Sequence, residues 1–80
     1  MKNIHHALSM TRRQLRQCIK KGKFPQLLDT LFGKGQWSYD EREQLWIARD
    51  KHYTGIGQEY YCIKHNGDWF KARLPEGVVQ

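Results

Sequence analysis

The 80-residue chain has few cysteines and no long apolar run, the features that mark disulfide-rich and membrane-spanning proteins. Its two cysteines, Cys18 and Cys62, are too few for a scaffold held by disulfides. No apolar run approaches the ~18 residues of a membrane-spanning helix, so we expect no membrane span. Residues 1–8 lack the apolar centre of a secretory signal. We therefore expect a cytoplasmic protein.

Acidic residues are scarce in the first half of the chain. Residues 1–35 contain eight Lys and Arg but a single acid, Asp29, whereas residues 36–80 contain six basic and seven acidic residues. Eight of the ten aromatic residues lie in the second segment. The first segment is therefore predicted to act through its charge, and the second to supply most of the packing.

The length predicts one small domain over residues 1–80, with a flexible N-terminal arm at 1–8 and a loose tail at 76–80. A domain of this size buries only about 60% of the surface that its unfolded chain exposes. An enclosed catalytic pocket would compete with the core for the same large side chains. We therefore expect a protein that is not an enzyme.

Two helices are predicted from their end signals. Thr11 and Gln14 have the spacing of a capping box, and Gly22 suits the left-handed residue that ends a helix. A short second helix follows, with Pro25 in its first turn and Gly33 at its end.

A third helix is predicted from about Tyr39 to His52. Ser38 and Glu41 have the spacing of a second capping box, and the carboxylates that follow suit the positive end of a helix. The run from Leu45 to Ala48 is also compatible with a strand, and periodicity alone does not decide between the two.

The last element is predicted to be a β-hairpin. Asn66-Gly67 is the preferred dipeptide of a two-residue type I′ turn, which would pair His65 with Asp68 and Ile63 with Phe70. One face would then carry Tyr61, Ile63, Phe70, Ala72 and Leu74, and the other Tyr60, Cys62, Lys64, Trp69, Lys71 and Arg73. The predicted fold is α+β, with three short helices followed by a C-terminal β-hairpin. This order resembles the winged-helix arrangement in topology, without a shared sequence motif.

Two basic segments are the candidate functional sites. The first helix presents cations without a neighbouring acid, and the outer hairpin face alternates cations with aromatic rings, a pattern that suits phosphates and stacked bases. We expect a small non-enzymatic nucleic-acid-binding or regulatory protein in which both segments converge on one patch. The candidate residues are Arg12, Arg13, Arg16, Lys20, Lys21, Lys23, Lys64, Trp69, Lys71 and Arg73.

Other interpretations of these residues stay open. The cations of the first helix can be a solvated face, Lys64 can lie over Trp69 as a cation–π pair, and Trp69 can pack under the first helix. The rival function is a small adaptor or inhibitor, of the kind that mobile genetic elements carry, which docks on an acidic surface of another protein. Asp40, Glu41 and Glu43 would repel phosphates at the start of a recognition helix, so RNA or backbone-dominated DNA binding fits better than an operator.

Metal and covalent chemistry have weak support. The histidines and cysteines form neither a C-x-x-C nor an H-x-x-x-H pair, and no nucleophile motif or phosphate loop is present. We therefore expect no metal, no cofactor and no catalytic residue. Dimerisation is possible on composition alone.

Overall fold

The computed structural model describes residues 10–51 and 53–74. The predicted arm at 1–8 and tail at 76–80 lie outside these residues. Two helices precede four antiparallel strands, which form one sheet in the order β1-β2-β3-β4. The elements are α1 (Arg12–Lys20), α2 (Phe24–Phe32), β1 (Trp37–Asp40), β2 (Leu45–Arg49), β3 (Gln58–Lys64) and β4 (Trp69–Leu74). The α+β class is confirmed, whereas the arrangement of three helices and a hairpin fits only in part.

Helix α1 begins and ends as its sequence predicts. The Gln14 backbone N–H donates to the Thr11 hydroxyl at 3.2 Å, and the Thr11 N–H donates to the Gln14 side-chain oxygen at 2.9 Å. At the other end, Gly22 has a φ of 72° and the Lys23 N–H donates to the Cys18 carbonyl at 3.1 Å. With the Gly22 N–H bonded to Ile19, this is a Schellman motif.

Helix α2 carries the larger share of the apolar contacts with the sheet. Pro25 lies in its first turn and Gly33 follows its last residue, as predicted. Phe24, Leu28 and Phe32 are buried, and the Phe24 ring meets Trp46 of β2 edge-on at 4.9 Å between centroids. Neither described helix is long and apolar enough to cross a bilayer.

The predicted third helix is wrong, because residues 37–49 form a β-hairpin. Tyr39 pairs with Trp46 across β1 and β2, and their rings lie 5.0 Å apart. The Asp40 carboxylate accepts the backbone N–H groups of Arg42 and Glu43, so it stabilises a turn and not a helix start. The alternative of a strand over Leu45 to Ala48 is confirmed.

The C-terminal hairpin is confirmed, but its predicted register is wrong by one residue. Ile63 pairs with Trp69 and Tyr61 with Lys71, and the Lys64 N–H donates to the Asp68 carbonyl at 2.8 Å. The loop therefore has three residues, with Gly67 at a φ of 89°. Because side chains alternate along a strand, this slip moves every β4 side chain to the opposite face.

The sheet buries apolar side chains on both faces. The face that meets α1 and α2 holds the main core, in which the helices contribute Leu15, Phe24, Leu28 and Phe32 and the sheet Trp46, Ala48, Tyr61 and Ile63. The opposite face holds a smaller cluster of Ile47, Tyr60 and Cys62, with Leu45 and Ala72 packed against it. We call the first of these faces the helix side of the sheet and the second the far side.

Candidate nucleic-acid interface

The outward surface of α1 and the turn after it is uniformly cationic. Leu15 faces the core, whereas its basic neighbours are exposed to solvent. Apart from Arg12, none of these neighbours forms an ion pair within residues 10–51 and 53–74. We call this set of residues the cationic surface: Arg13, Arg16, Lys20, Lys21 and Lys23.

Arg12 differs from these residues because it has a carboxylate partner. Its Nε lies 2.9 Å from the Asp68 carboxylate, just after the β3–β4 loop. The same loop touches the helix through Gly67, where an added Cβ would lie 2.6 Å from the Arg12 carbonyl oxygen. The start of α1 is thereby seated on the hairpin, and Arg12 is less available to a ligand than the cationic surface.

Lys71 does not belong to the predicted patch, because its side chain is nearly buried and paired with two carboxylates. Its ammonium lies 2.6 Å from the Asp50 carboxylate and 3.4 Å from that of Glu59, and all three side chains are at most 14% exposed. The ammonium also lies 4.6 Å from the centre of the Tyr61 ring. We call Asp50, Glu59, Tyr61 and Lys71 the Lys71 cluster.

The Lys71 cluster holds its protons tightly. Burial alone would lower the pKa of Lys71, but the hydrogen bond to Asp50 and the surrounding negative charge raise this pKa overall. Burial, and then the charge of Asp50, raise the pKa of Tyr61. Lys71 is therefore a charged structural residue at neutral pH, and its charge is compensated inside the protein.

The remaining hairpin candidates lie on two sides of the sheet. Trp69 is half-buried against the main core, 5.9 Å from Tyr61, and is not the exposed stacking ring that the sequence predicted. Arg73 is exposed on the same side, with its guanidinium 5.6 Å from the centre of the Tyr53 ring. Lys64 lies on the far side, where Leu45 is its strand partner. The structure therefore does not bring the hairpin cations into one patch with α1.

The exposed aromatic residue of the hairpin is Phe70, which the sequence prediction placed in the core. Its side chain is 41% exposed on the far side of the sheet, and the Lys64 ammonium lies 5.7 Å from its ring centre. The slipped register produces this exchange between Phe70 and Trp69. A three-residue loop around Asn66-Gly67 is the alternative hairpin turn that would have predicted the exposure of Phe70.

A groove beside α1 is a second feature that the sequence prediction missed. It has a volume of about 390 Å³ and is open to solvent. Its apolar floor includes Met10 and Cys18, which are half-buried and pack against the main core. We call it the α1 groove, and its lining residues are Met10, Arg13, Gln14, Gln17, Cys18, Lys21 and Lys23.

The two thiols occupy different environments. Cys18 borders the α1 groove, whereas Cys62 is buried in the small cluster on the far side of the sheet. Burial raises the pKa of the Cys62 thiol, which is the opposite of what a nucleophilic cysteine needs. Within the described part of the chain, no group of three or more His, Cys, Asp or Glu side chains is placed to hold a metal ion.

Comparisons with protein-family models, with curated proteins and with solved structures find no match to this chain. The function is therefore inferred from the residues and their geometry.

Proposed function

We propose that this protein binds nucleic acid, RNA or DNA, mainly through phosphate contacts made by the cationic surface. One observation carries the proposal: five exposed basic side chains lie together, and no carboxylate in the described ranges is paired with them. Protein surfaces usually mix charges of both signs, but no acid occurs between Met1 and Leu28. Phosphate chains release counterions when they meet such a surface, and this release supplies affinity.

The spacing of the cations suits an extended polyanion better than a single anion. Arg16 and Lys20 are four residues apart, which corresponds to a rise of about 6 Å along a helix. Lys21 and Lys23 continue the row beyond the helix end. Phosphate contacts position a protein without reading the base sequence, so we propose binding that depends weakly on sequence.

The hairpin contributes less than the sequence prediction gave it. The charge of Lys71 is compensated by Asp50 and Glu59, and Trp69 packs on the core. Lys64 is on the far side of the sheet from α1, so it does not extend the cationic surface. Arg73 is exposed on the helix side with its guanidinium over the Tyr53 ring, and we propose it as a separate, secondary phosphate contact.

The test is binding of labelled RNA and DNA at a series of salt concentrations, read by fluorescence anisotropy. The double variant Arg16→Gln/Lys20→Gln should lower the slope of log K against log salt by about 2, one for each lost phosphate contact. The matched control is Lys34→Gln/Lys64→Gln, which removes the same charge from exposed positions elsewhere. This control should leave the slope almost unchanged, because neither cation belongs to the cationic surface.

Two results would overturn the proposal. One is the absence of binding at micromolar protein and low salt. The other is an equal loss of slope in the two double variants, which would show that net charge alone attracts the nucleic acid.

An adaptor that docks on an acidic protein surface is the second candidate. The observation in its favour is Phe70, a large exposed ring beside the Lys64 cation, because aromatic side chains often dominate protein interfaces. Phe70→Ala should then abolish partner capture while leaving nucleic-acid binding intact. The reverse pattern, in which Arg16→Gln/Lys20→Gln abolishes binding and Phe70→Ala does not, favours nucleic acid as the partner.

A further inference from the structure

The α1 groove combines an apolar floor with a cationic rim. Its floor is apolar, from Met10 and Cys18. Its rim carries three of the cations of the cationic surface, and none of its described lining residues is acidic. A ligand that fits both properties has a negative charge beside a flat or compact apolar group. Its volume of about 390 Å³ lies within the range of ~300–1,000 Å³ that small-molecule sites occupy.

Two amide side chains complete the lining. The Gln14 oxygen accepts the Thr11 N–H as part of the capping box, which leaves its two amide N–H donors and one lone pair of the oxygen for a ligand. Gln17 is exposed and lies one turn further along the same side of α1. Amides donate and accept hydrogen bonds, which suits the mixed donor and acceptor edge of a nucleobase. The carboxylates of an acidic peptide would use only the donors.

The apolar floor of the groove suits an unpaired base better than a paired one. In a duplex, base faces are covered by stacking and the Watson–Crick edges are paired, so no ring face is free to cover the apolar floor of the groove, and contacts are limited to phosphates and groove edges. An unpaired base can turn its ring onto an apolar surface while its phosphates stay on neighbouring cations. The cationic surface continues past the groove through Arg16 and Lys20, where the flanking phosphates would lie.

We infer that the α1 groove receives one unpaired nucleobase, so that the preferred ligand is single-stranded nucleic acid. This inference rests on the proposed function and adds the form of nucleic acid that the site takes. Arg13, Lys21 and Lys23 hold the adjacent phosphates, and the base covers Cys18.

The test uses Cys18 of the unmodified protein as a reporter. The protein is treated with iodoacetamide alone, with a single-stranded DNA of about 12 nucleotides, or with the duplex formed from that strand and its complement. Mass spectrometry follows alkylation of Cys18, and buried Cys62 reports any unfolding. At about 90% occupancy the single strand should slow Cys18 alkylation about tenfold, because only unbound protein reacts. The duplex at equal occupancy should change the rate by less than about twofold.

The outcomes separate the inference from the proposed function. If both nucleic acids bind and neither protects Cys18, or if both protect it equally, the inference is overturned and phosphate binding stands. If neither nucleic acid binds, both are overturned. If an oligoglutamate peptide protects Cys18 and the single strand does not, the groove belongs to a protein partner and the inference is again overturned.

Discussion

The cations of the cationic surface and Lys71 of β4 have opposite environments. In α1 the helix turns one apolar ridge to the core and leaves its cations in solvent. In β4 the strand alternates its side chains, so Lys71 points to the helix side and meets Asp50 and Glu59. The comparison shows that the number of cations in a segment does not measure how much charge it offers to a ligand. The position of each charge relative to the core, and to the nearest acid, decides this.

The variant Lys71→Met tests the contrast between the two segments with the largest expected effect. Asp50 and Glu59 would lose their shared cation in a nearly buried site, so we expect the free energy of unfolding to fall by about 3–5 kcal/mol. The measurement is urea unfolding followed by tryptophan fluorescence. The control is Lys64→Met, an exposed cation without an acidic partner among the described residues, which should change stability by less than about 0.5 kcal/mol. Equal losses in the two variants would mean that Lys71 is not a structural ion.

The variant Gly67→Ala tests the contact between the start of α1 and the β3–β4 loop. The residue has a φ of 89°, and a Cβ there would lie 2.6 Å from the Arg12 carbonyl oxygen. We expect a loss of about 2–3 kcal/mol from the backbone strain and the displaced helix start together. Gly57→Ala is the control, since Gly57 has a φ of 79° but nothing within 4 Å of its added Cβ. This control should cost about 1 kcal/mol, and a similar cost at both sites would contradict the close contact with α1.

The smallest expected effect is a decrease of stability at alkaline pH. The pKa values of Cys62, Tyr61 and Lys71 are raised above their ordinary values of 9.0, 10.0 and 10.5 in the folded protein. As the pH rises, the unfolded chain loses each proton first, so the free energy of unfolding falls above about pH 9. The measurement is urea unfolding at pH 8, 9, 10 and 11.

A matched variant tests whether Cys62 sets the pH at which stability begins to fall. In Cys62→Ala the fall should begin closer to pH 10, since the lowest of the three titrations is gone. Stability that stays constant or rises between pH 9 and pH 11 would contradict the proton affinities described for these side chains.

The parts of the fold that follow from local chemistry were predictable. The capping box at Thr11 and the glycine at 22 set both ends of α1, because their hydrogen bonds involve residues within one turn. Pro25 and Gly33 mark the ends of α2 by local geometry, because proline has no N–H to leave unpaired in the first turn and Gly33 adopts a positive φ. The exposed cations of α1 followed from its amphipathic pattern.

The parts that depend on pairing partners were not predictable in the same way. Tyr39 and Trp46 are seven residues apart, a spacing that is common to one helix face and to a cross-strand pair in this hairpin. Asp40 can begin a helix or close a turn, and only the sheet decides between them. The register of β4 depended on one loop residue: the turn that we predicted needs a positive φ at both Asn66 and Gly67, and only Gly67 has it.

The order of the strands in the sheet has a consequence for how the chain folds. Each strand pairs only with the strands next to it in the sequence, so no connection crosses the sheet. Closing each hairpin brings together residues that are already close along the chain, which keeps the entropic cost of loop closure low. Topologies built from such local pairings fold faster than those that join distant segments. The sheet can therefore grow one hairpin at a time.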